Sequence, residues 1–154
     1  MLEINELKSV PLFVNLSTDE IQSIVNEGEY LELKSDDLLF EEDSAGRDLY
    51  ILIAGKIAIE SLVPGSGEKK TKEFYSMNPN EVIGEFSYVD QAPRSATARA
   101  RRESKVLRIP AENLDRLLDE NPKLGYRLMT NISKILCDRI RNANLALRNS
   151  MVWI

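Results

Sequence analysis

Hydrophobic and polar positions change their spacing twice along the chain, and the three segments predict different structures. Residues 1–28 have apolar positions at helical spacing and predict short N-terminal helices. Residues 29–109 break into short apolar or alternating runs separated by turn residues, which is typical of β-strands. Residues 110–150 return to helical spacing and predict C-terminal helices. With no internal repeat, residues 1–154 are interpreted as a single domain.

The strand segment contains a series of short runs bounded by glycine, proline, aspartate and asparagine. The predicted strands are 30–33, 38–40, 49–54, 57–63, 72–75, 82–83, 96–101 and 105–109. A turn is predicted at residues 55–56 and a loop at 64–67. The recurrence of turns at this spacing favours a β-sandwich or barrel. The predicted fold class is therefore mainly β with flanking helices.

The helices begin and end at recognisable residues. Ser17 or Thr18 precedes an apolar helical pattern as a capped start, and Gly28 ends it. Pro122 stands in the first turn of the long last helix, where proline is tolerated. That helix has one apolar stripe: Leu124, Leu128, Ile132, Ile135, Leu136, Ile140, Ala143 and Leu147. Its outer half exceeds what a small barrel covers, so a homodimer through this helix is a candidate assembly.

Composition removes several classes of function. The chain has no histidine, which excludes a Ser-His-Asp triad, a Cys-His dyad and a histidine zinc site. Carboxylates or lysines could still do chemistry, so the composition disfavours an enzyme without forbidding one. Our expectation is no catalytic residues, no metal site and no enzyme activity. No apolar run approaches the ~20 residues of a membrane helix, so no membrane association is expected. The single cysteine, Cys137, fits a reducing compartment and predicts a cytoplasmic location.

Charge is distributed unevenly along the chain. The net charge is −5, but residues 1–92 have 19 acidic and 7 basic side chains (−12), and residues 93–154 have 6 and 13 (+7). An acidic first part argues against direct nucleic-acid binding. The basic second part could host one small anion.

Residues 83–100 hold the densest functional pattern. Gly84 ends a strand and allows close backbone approach. Residues 85–88 suit one helical turn, whose N-terminal amides would face an anion. Arg94 follows Pro93 at the start of the next strand, and a guanidinium holds two phosphate oxygens at once. Glu85 beside an anion needs a neutral hydroxyl partner, and a sugar supplies one.

This segment resembles the phosphate-binding cassette of the cyclic nucleotide-binding domain family. The pattern Gly-Glu, small-residue turn, Pro-Arg-x-Ala and further Ala is met by Gly84, Glu85, Ser87, Pro93, Arg94, Ala96 and Ala100. Residues 49–57 match the family's Tyr-x-Ile-x-x-Gly strand pair. The resemblance runs from about residue 7 to 147. It implies a double-stranded β-helix, that is, a jelly-roll-like β-roll.

The resemblance also implies ligand contacts, with cAMP or cGMP as the ligand and no cofactor. Arg94 would pair with the cyclic phosphate, and Glu85 would accept from the ribose 2′-hydroxyl. The other residues placed at the ligand are Gly84, Phe86, Ser87, Ser95 and Ala96 in the cassette, Ile59 and Phe74 against the base, and Ile135 and Arg139 on the capping C-terminal helix. The base stays undecided; the Arg94-Ser95 pair, like that of the catabolite activator, slightly favours cAMP.

Three residues depart from the family pattern. Asp36 and Asp43 stand at turns where glycine is usual, and aspartate tolerates the left-handed conformation such turns need. Arg47 stands where the family often has an acid.

The alternative function is a structural dimerisation or interaction module with weak or no nucleotide binding. The family's transcription factors continue into a helix-turn-helix domain, so a free-standing module and a fragment both stay open.

Overall fold

The N-terminal segment folds into three short helical elements, as its spacing predicts. In the computed structural model, which describes residues 3–66 and 70–152, they are α1 (Ile4–Leu7), a 3₁₀ turn (Pro11–Phe13) and α2 (Thr18–Asn26). The capped start is confirmed at Ser17, whose hydroxyl accepts from the amide of Glu20 at 3.1 Å. The Glu20 carboxylate accepts from the Ser17 amide at 2.8 Å, which completes a capping box.

Within residues 3–66 and 70–152, eight strands form two four-stranded antiparallel sheets. Their order is β1-β8-β3-β6 in the first sheet and β2-β7-β4-β5 in the second. The strands are β1 (Glu29–Leu33), β2 (Leu38–Phe40), β3 (Leu49–Ala54), β4 (Ile57–Leu62), β5 (Thr71–Met77), β6 (Val82–Ile83), β7 (Thr97–Ala100) and β8 (Ser104–Ile109). The mainly β fold with a β-roll is confirmed. Gly67, in the predicted 64–67 loop, lies outside the described residues.

Strand β3 separates two hydrophobic cores, which explains its continuous apolar sequence. Leu49 and Ile51 face a core shared with the N- and C-terminal helices. Tyr50 and Leu52 face the interior of the roll, beside Ile57. Successive side chains of a strand point to opposite faces, so a strand buried on both sides has no polar position.

The two aspartate turns adopt the backbone that the sequence predicts. Asp36 has a φ of 72° and Asp43 a φ of 64°, both in the left-handed region. Aspartate visits this region at lower cost than most residues with a side chain. The loop between β2 and β3 is therefore kept without glycine at residue 43.

The C-terminal segment forms α4 (Ala111–Glu120) and α5 (Pro122–Met151), separated at Asn121. The first half of α5 packs on the N-terminal elements. Its buried Asn131 donates from Nδ2 to the carbonyl oxygens of Leu12 at 2.9 Å and Val14 at 2.8 Å. The second half leaves Ile140 and Leu147 exposed. Among the residues that the structure describes, we find no helix both long and apolar enough to cross a bilayer.

Candidate functional site

The segment between β6 and β7 crosses from the first sheet to the second and contains the short helix α3 (Glu85–Asp90). It begins at Gly84, whose φ is 97°. A Cβ at this position would lie 2.4 Å from the carbonyl oxygen of Asp48 and 2.9 Å from Nη1 of Arg94. Both the backbone conformation and the space therefore require glycine.

Arg94 lies under this turn with only 3% of its surface exposed. Its Nη2 donates to the carbonyl oxygen of Asp48 at 3.0 Å, and its Nη1 donates to that of Gly84 at 3.3 Å. The guanidinium carbon lies 4.5 Å from the ring centre of Phe40 and 5.8 Å from that of Tyr50, so two aromatic faces hold the cation. Its buried Nε has no partner among the described residues.

The electrostatic environment keeps this arginine charged. Burial lowers the pKa of Arg94, and the nearby Tyr50, Asp48 and Glu85 oppose that shift. A guanidinium does not lose its proton in proteins. The result is a fixed positive charge in a site from which water is largely excluded, where it attracts an anion more strongly than a surface arginine does.

Glu85, at the start of α3, is 1% exposed. Its carboxylate forms an ion pair with Arg139 of α5, whose Nη2 also donates to the carbonyl oxygen of Val82 at 2.5 Å. Within the described part of the chain, neither carboxylate oxygen of Glu85 accepts a well-aligned hydrogen bond. Burial raises the pKa of Glu85, and Arg139, then the residue's own backbone amide and then Arg94 counteract the rise. The carboxylate is thus a buried acceptor with unused capacity.

These groups line one cavity of about 100 Å³. The lining residues come from β2, β4, β5, β6, the cassette and α5: Phe40, Ile59, Phe74, Tyr75, Ile83, Gly84, Glu85, Phe86, Ser87, Arg94, Ser95, Ala96 and Arg139. Ligand pockets are typically ~300–1,000 Å³. Because Arg139 crosses from α5 to Glu85, a nucleotide-sized ligand needs this side chain or α5 to shift.

Ten of the eleven residues that the sequence places at the ligand lie along this cavity. The exception is Ile135, which is half-buried against the core formed with the N-terminal helices. It lies one turn earlier on α5 than Arg139, where that helix still packs on the protein. Arg139 lies along the cavity, but in contact with the carboxylate of Glu85.

Sequence reasoning missed several residues of the site. Phe40, Tyr75 and Ile83 also line the cavity, and Tyr50 and Asp48 contact Arg94. Tyr50 belongs to the Tyr-x-Ile pattern that indicates the β3–β4 pair, so a signal was present, but it was used only for the fold. Phe40 ends a three-residue strand, and nothing in its local pattern distinguishes it from a core residue.

The sequence profile described as "Cyclic nucleotide-binding domain" matches residues 30–121. The chain belongs to the cyclic nucleotide-binding domain family. The matched range covers the roll, the whole cassette and α4. Both the recognised family and the fold class predicted from the cassette are therefore confirmed, and nucleotide binding is favoured over a purely structural module.

Relatives in this family support the assignment along nearly the whole chain. The cyclic AMP receptor protein of Thermus thermophilus is 26% identical over 141 residues, which is 92% of this chain and 62% of that protein. The N-terminal domain of a transcriptional regulator from Streptomyces coelicolor A3(2) superposes with a TM-score of 0.75 at 27% identity, covering 94% of this chain and 95% of that one. A cyclic nucleotide-binding domain from Methylobacillus flagellatus shares the fold, with a TM-score of 0.83 at 22% identity over 96% of this chain and 81% of that one.

Proposed function

We propose that this domain binds a 3′,5′-cyclic nucleotide, with cAMP favoured over cGMP, and acts as a non-enzymatic sensor. The observation that supports it most is the juxtaposition of two buried opposite charges, Arg94 and Glu85, along one cavity. A cyclic phosphate has a single negative charge for Arg94. A ribose has a neutral 2′-hydroxyl that donates to Glu85 without introducing a second anion.

The phosphate would lie between Arg94 and the first turn of α3. The amides of Phe86 and Ser87 have no carbonyl partner within such a short first turn, so they are free to donate to phosphate oxygens. Ser95 is exposed beside Arg94 and would complete the shell through its hydroxyl. Gly84 and Ala96 have no bulky side chain, which allows the phosphate to approach the backbone.

The base would lie between the roll and α5. Ile59 and Phe74 line the roll side of the cavity, and Arg139 lines the α5 side. Binding would make contacts with both α3 and α5, and this would favour the conformation in which α5 lies closed over the base. The ligand would thus change the position of α5, which is the readout of a sensor.

A homodimer through α5 is part of the same proposal. This helix has 30 residues, which at 1.5 Å per residue is about 45 Å. Leu136, Ile140, Ala143 and Leu147 are spaced four, three and four residues apart, the spacing of a coiled-coil seam.

We also place the protein in the cytosol, because Cys137 is exposed as a free thiol. Direct nucleic-acid binding by this chain is not part of the proposal, given the charge of −12 on residues 1–92.

Calorimetry with cAMP, cGMP and 5′-AMP tests the function. We expect a 1:1 complex with cAMP, binding of cGMP that is no tighter, and much weaker binding of 5′-AMP, whose phosphate is a dianion without the ring. Truncating a buried charged contact costs about 2–5 kcal/mol. Arg94→Ala should therefore weaken cAMP binding ~30-fold or more, since ~1.4 kcal/mol is tenfold.

Arg99→Gln is the matched control for the arginine. Arg99 follows on β7 and pairs with Glu60 in the roll, and it does not line the cavity. Its variant should keep wild-type affinity, and circular dichroism should report folded protein for both variants. Equal cAMP affinity in Arg94→Ala and the wild type would overturn the proposed function.

A further inference from the structure

Arg47, one of the three residues that depart from the family pattern, lies at the centre of a polar cluster between α3 and α4. Its Nη1 donates to Oδ2 of Asp115 on α4 at 2.9 Å, and its Nη2 donates to the carbonyl oxygen of Tyr88 on α3 at 3.2 Å. The hydroxyl of Tyr88 donates to Oδ1 of the same Asp115 at 2.8 Å. The guanidinium carbon of Arg47 also lies 5.4 Å from the Tyr88 ring centre. The three side chains therefore tie α3 to α4.

Asp48, the residue after Arg47, links this cluster to Arg94. The carbonyl oxygen of Asp48 accepts from Arg94, and its carboxylate accepts from the amide of Ala111 at 2.9 Å, at the start of α4. It also pairs with Arg108 of β8 at 2.8 Å. Arg47 and Asp48 are thus two adjacent residues that contact the guanidinium of Arg94, helix α3 and helix α4.

Helix α3 depends on its side-chain contacts for its position, namely the packing of Tyr88 in the core, the ion pair of Glu85 with Arg139 and this cluster. It has six residues, no side chain caps its N-terminus, and residues with left-handed backbone bound it at both ends, Gly84 with φ 97° and Gln91 with φ 60°. An isolated helix this short is not stable in water. Its orientation, and with it the direction of the Phe86 and Ser87 amides, is set by what its side chains contact.

We propose that Arg47 is a positioning residue for the phosphate site, holding α3 against α4 through Tyr88 and Asp115. The proposal rests on the proposed function, because it assigns Arg47 a role in the phosphate shell formed by Arg94 and α3. Arg47 does not line the cavity, so in this proposal it acts through the helix and makes no contact with ligand.

A simple surface ion pair is the competing interpretation. The side chains of Arg47 and Asp115 are 32% and 40% exposed, and exposed pairs of this type contribute little to stability. Two features distinguish this cluster. Arg47 donates to the α3 backbone itself, and Tyr88, 5% exposed, places its hydroxyl on the same carboxylate.

The test compares Arg47→Gln and Tyr88→Phe with the control Arg116→Gln. Arg116 is also an arginine at an inter-element contact of α4, but its partner is Glu27, at 3.1 Å, and not a residue of α3. Arg47→Gln removes a charge-assisted contact, and we expect it to weaken cAMP binding by about 5- to 20-fold in calorimetry. Tyr88→Phe should weaken it by about threefold, the scale of one neutral hydrogen bond. Arg116→Gln should match the wild type.

The ³¹P chemical shift of bound cAMP supplies a readout that general destabilisation does not move. In Arg47→Gln, at saturating cAMP, this shift should move toward the value of free cAMP, because the α3 amides no longer face the phosphate squarely. Tyr88→Phe keeps the ring and the fold, so it gives an answer if Arg47→Gln does not fold. In that case an unchanged affinity and ³¹P shift in Tyr88→Phe overturn the proposal.

The outcomes separate this proposal from the function itself. If the wild type binds neither cAMP nor cGMP, the proposed function fails and the role of Arg47 fails with it. If the wild type binds cAMP and Arg94→Ala does not, but Arg47→Gln keeps wild-type affinity and an unchanged ³¹P shift, the function stands and the positioning role is overturned.

Discussion

Arg139 of α5 forms an ion pair with Glu85 of α3, and this pair joins the last helix directly to the segment proposed to bind phosphate. The same guanidinium donates to the carbonyl oxygen of Val82, the first residue of β6. Helix α5 thus contacts the site at the residue proposed to accept from ribose. A ligand that binds to Glu85 must do so beside Arg139 or displace Arg139 from the carboxylate. Either change would alter the contact that holds α5.

The Arg139–Glu85 pair predicts a change in the pH dependence of binding. Without the cation of Arg139, the pKa of Glu85 rises further, because Arg139 is the strongest influence that opposes the effect of burial. Arg139→Gln should therefore lose cAMP affinity as pH falls from about 8 toward about 5.5, since protonation removes the charge that strengthens the hydrogen bond from ribose. The wild type should change less over the same range.

Calorimetry at several pH values checks this prediction, with Arg141→Gln as the control. Arg141 lies on α5 two residues after Arg139, but it is exposed and pairs with Asp138 on its own helix. The control should follow the wild-type profile. Parallel pH profiles for Arg139→Gln and the wild type would contradict the role of Arg139 as the counter-ion.

We expect the charge of Glu85 to lower the stability of the fold while it strengthens ligand binding. Its pKa is raised by burial, so its contribution to stability is fully present below the ordinary pKa of a glutamate and is lost as pH rises through the raised value. Glu85→Gln does not ionise, so the variant should not lose this stability as pH rises. The melting temperature of the variant minus that of the wild type should grow between about pH 4 and about pH 8, reaching a few degrees, since 1 kcal/mol is worth about 2–4 °C in a domain of this size.

The same variant should bind cAMP less tightly. Differential scanning calorimetry measures the stability arm, and titrations with cAMP and 2′-deoxy-cAMP measure the binding arm. Glu85→Gln should lose more affinity for cAMP than for the deoxy analogue, because the analogue lacks the hydroxyl that the carboxylate accepts from. Equal losses for both ligands would contradict the assignment of Glu85 to ribose.

Substitution of Gly84 by alanine should destabilise the fold in two ways, through backbone strain and through a steric clash. Gly65, in the β4–β5 loop, also has positive φ, at 78°, but a Cβ there would meet open space. Gly65→Ala should cost only backbone strain, roughly 1–2 kcal/mol. Gly84→Ala adds a clash with the Asp48 carbonyl and should cost about 3 kcal/mol or more. Urea denaturation compares the two, and similar midpoints would show that the Gly84 turn relaxes easily.

The sequence predicted the strands and the cassette because their signals are local. The apolar run of β3 and the pattern around Gly84 and Arg94 each lie within a few residues. The contacts of Arg139 with Glu85 and of Arg47 with Asp115 join residues far apart in the chain, and no periodicity relates them. Only packing shows them. Packing also accounts for Ile135, which the family resemblance implies at the ligand and which lies against the core.

The exposed half of α5 predicts a dimer that one matched pair of variants can test. Leu147 continues the seam of Ile140 and Ala143, whereas Leu145, two positions earlier, faces a different side of the helix. Their side chains are 61% and 51% exposed, so exposure alone does not separate them. Leu147→Glu should convert a wild-type dimer into a monomer, and Leu145→Glu should leave it a dimer.

Light scattering after size-exclusion chromatography gives the molar mass of each protein. A dimeric wild type with a monomeric Leu147→Glu variant is the expected result. A wild type that is monomeric at tens of micromolar, or a dimer that survives Leu147→Glu, would contradict the proposed seam.

The rigid setting of Arg94 beside the rings of Phe40 and Tyr50 has a consequence for the free-energy cost and the rate of ligand binding. Two rings and two carbonyl oxygens fix the guanidinium in the folded chain. Immobilising a long side chain costs about 1.5–2 kcal/mol of conformational entropy, and here folding has already absorbed that cost. An arriving anion meets a rigid cation that needs no rotamer search. The slow step of binding would then be the movement of α5 and Arg139 away from the cavity. The motion of the helix, and not that of Arg94, would set the association rate.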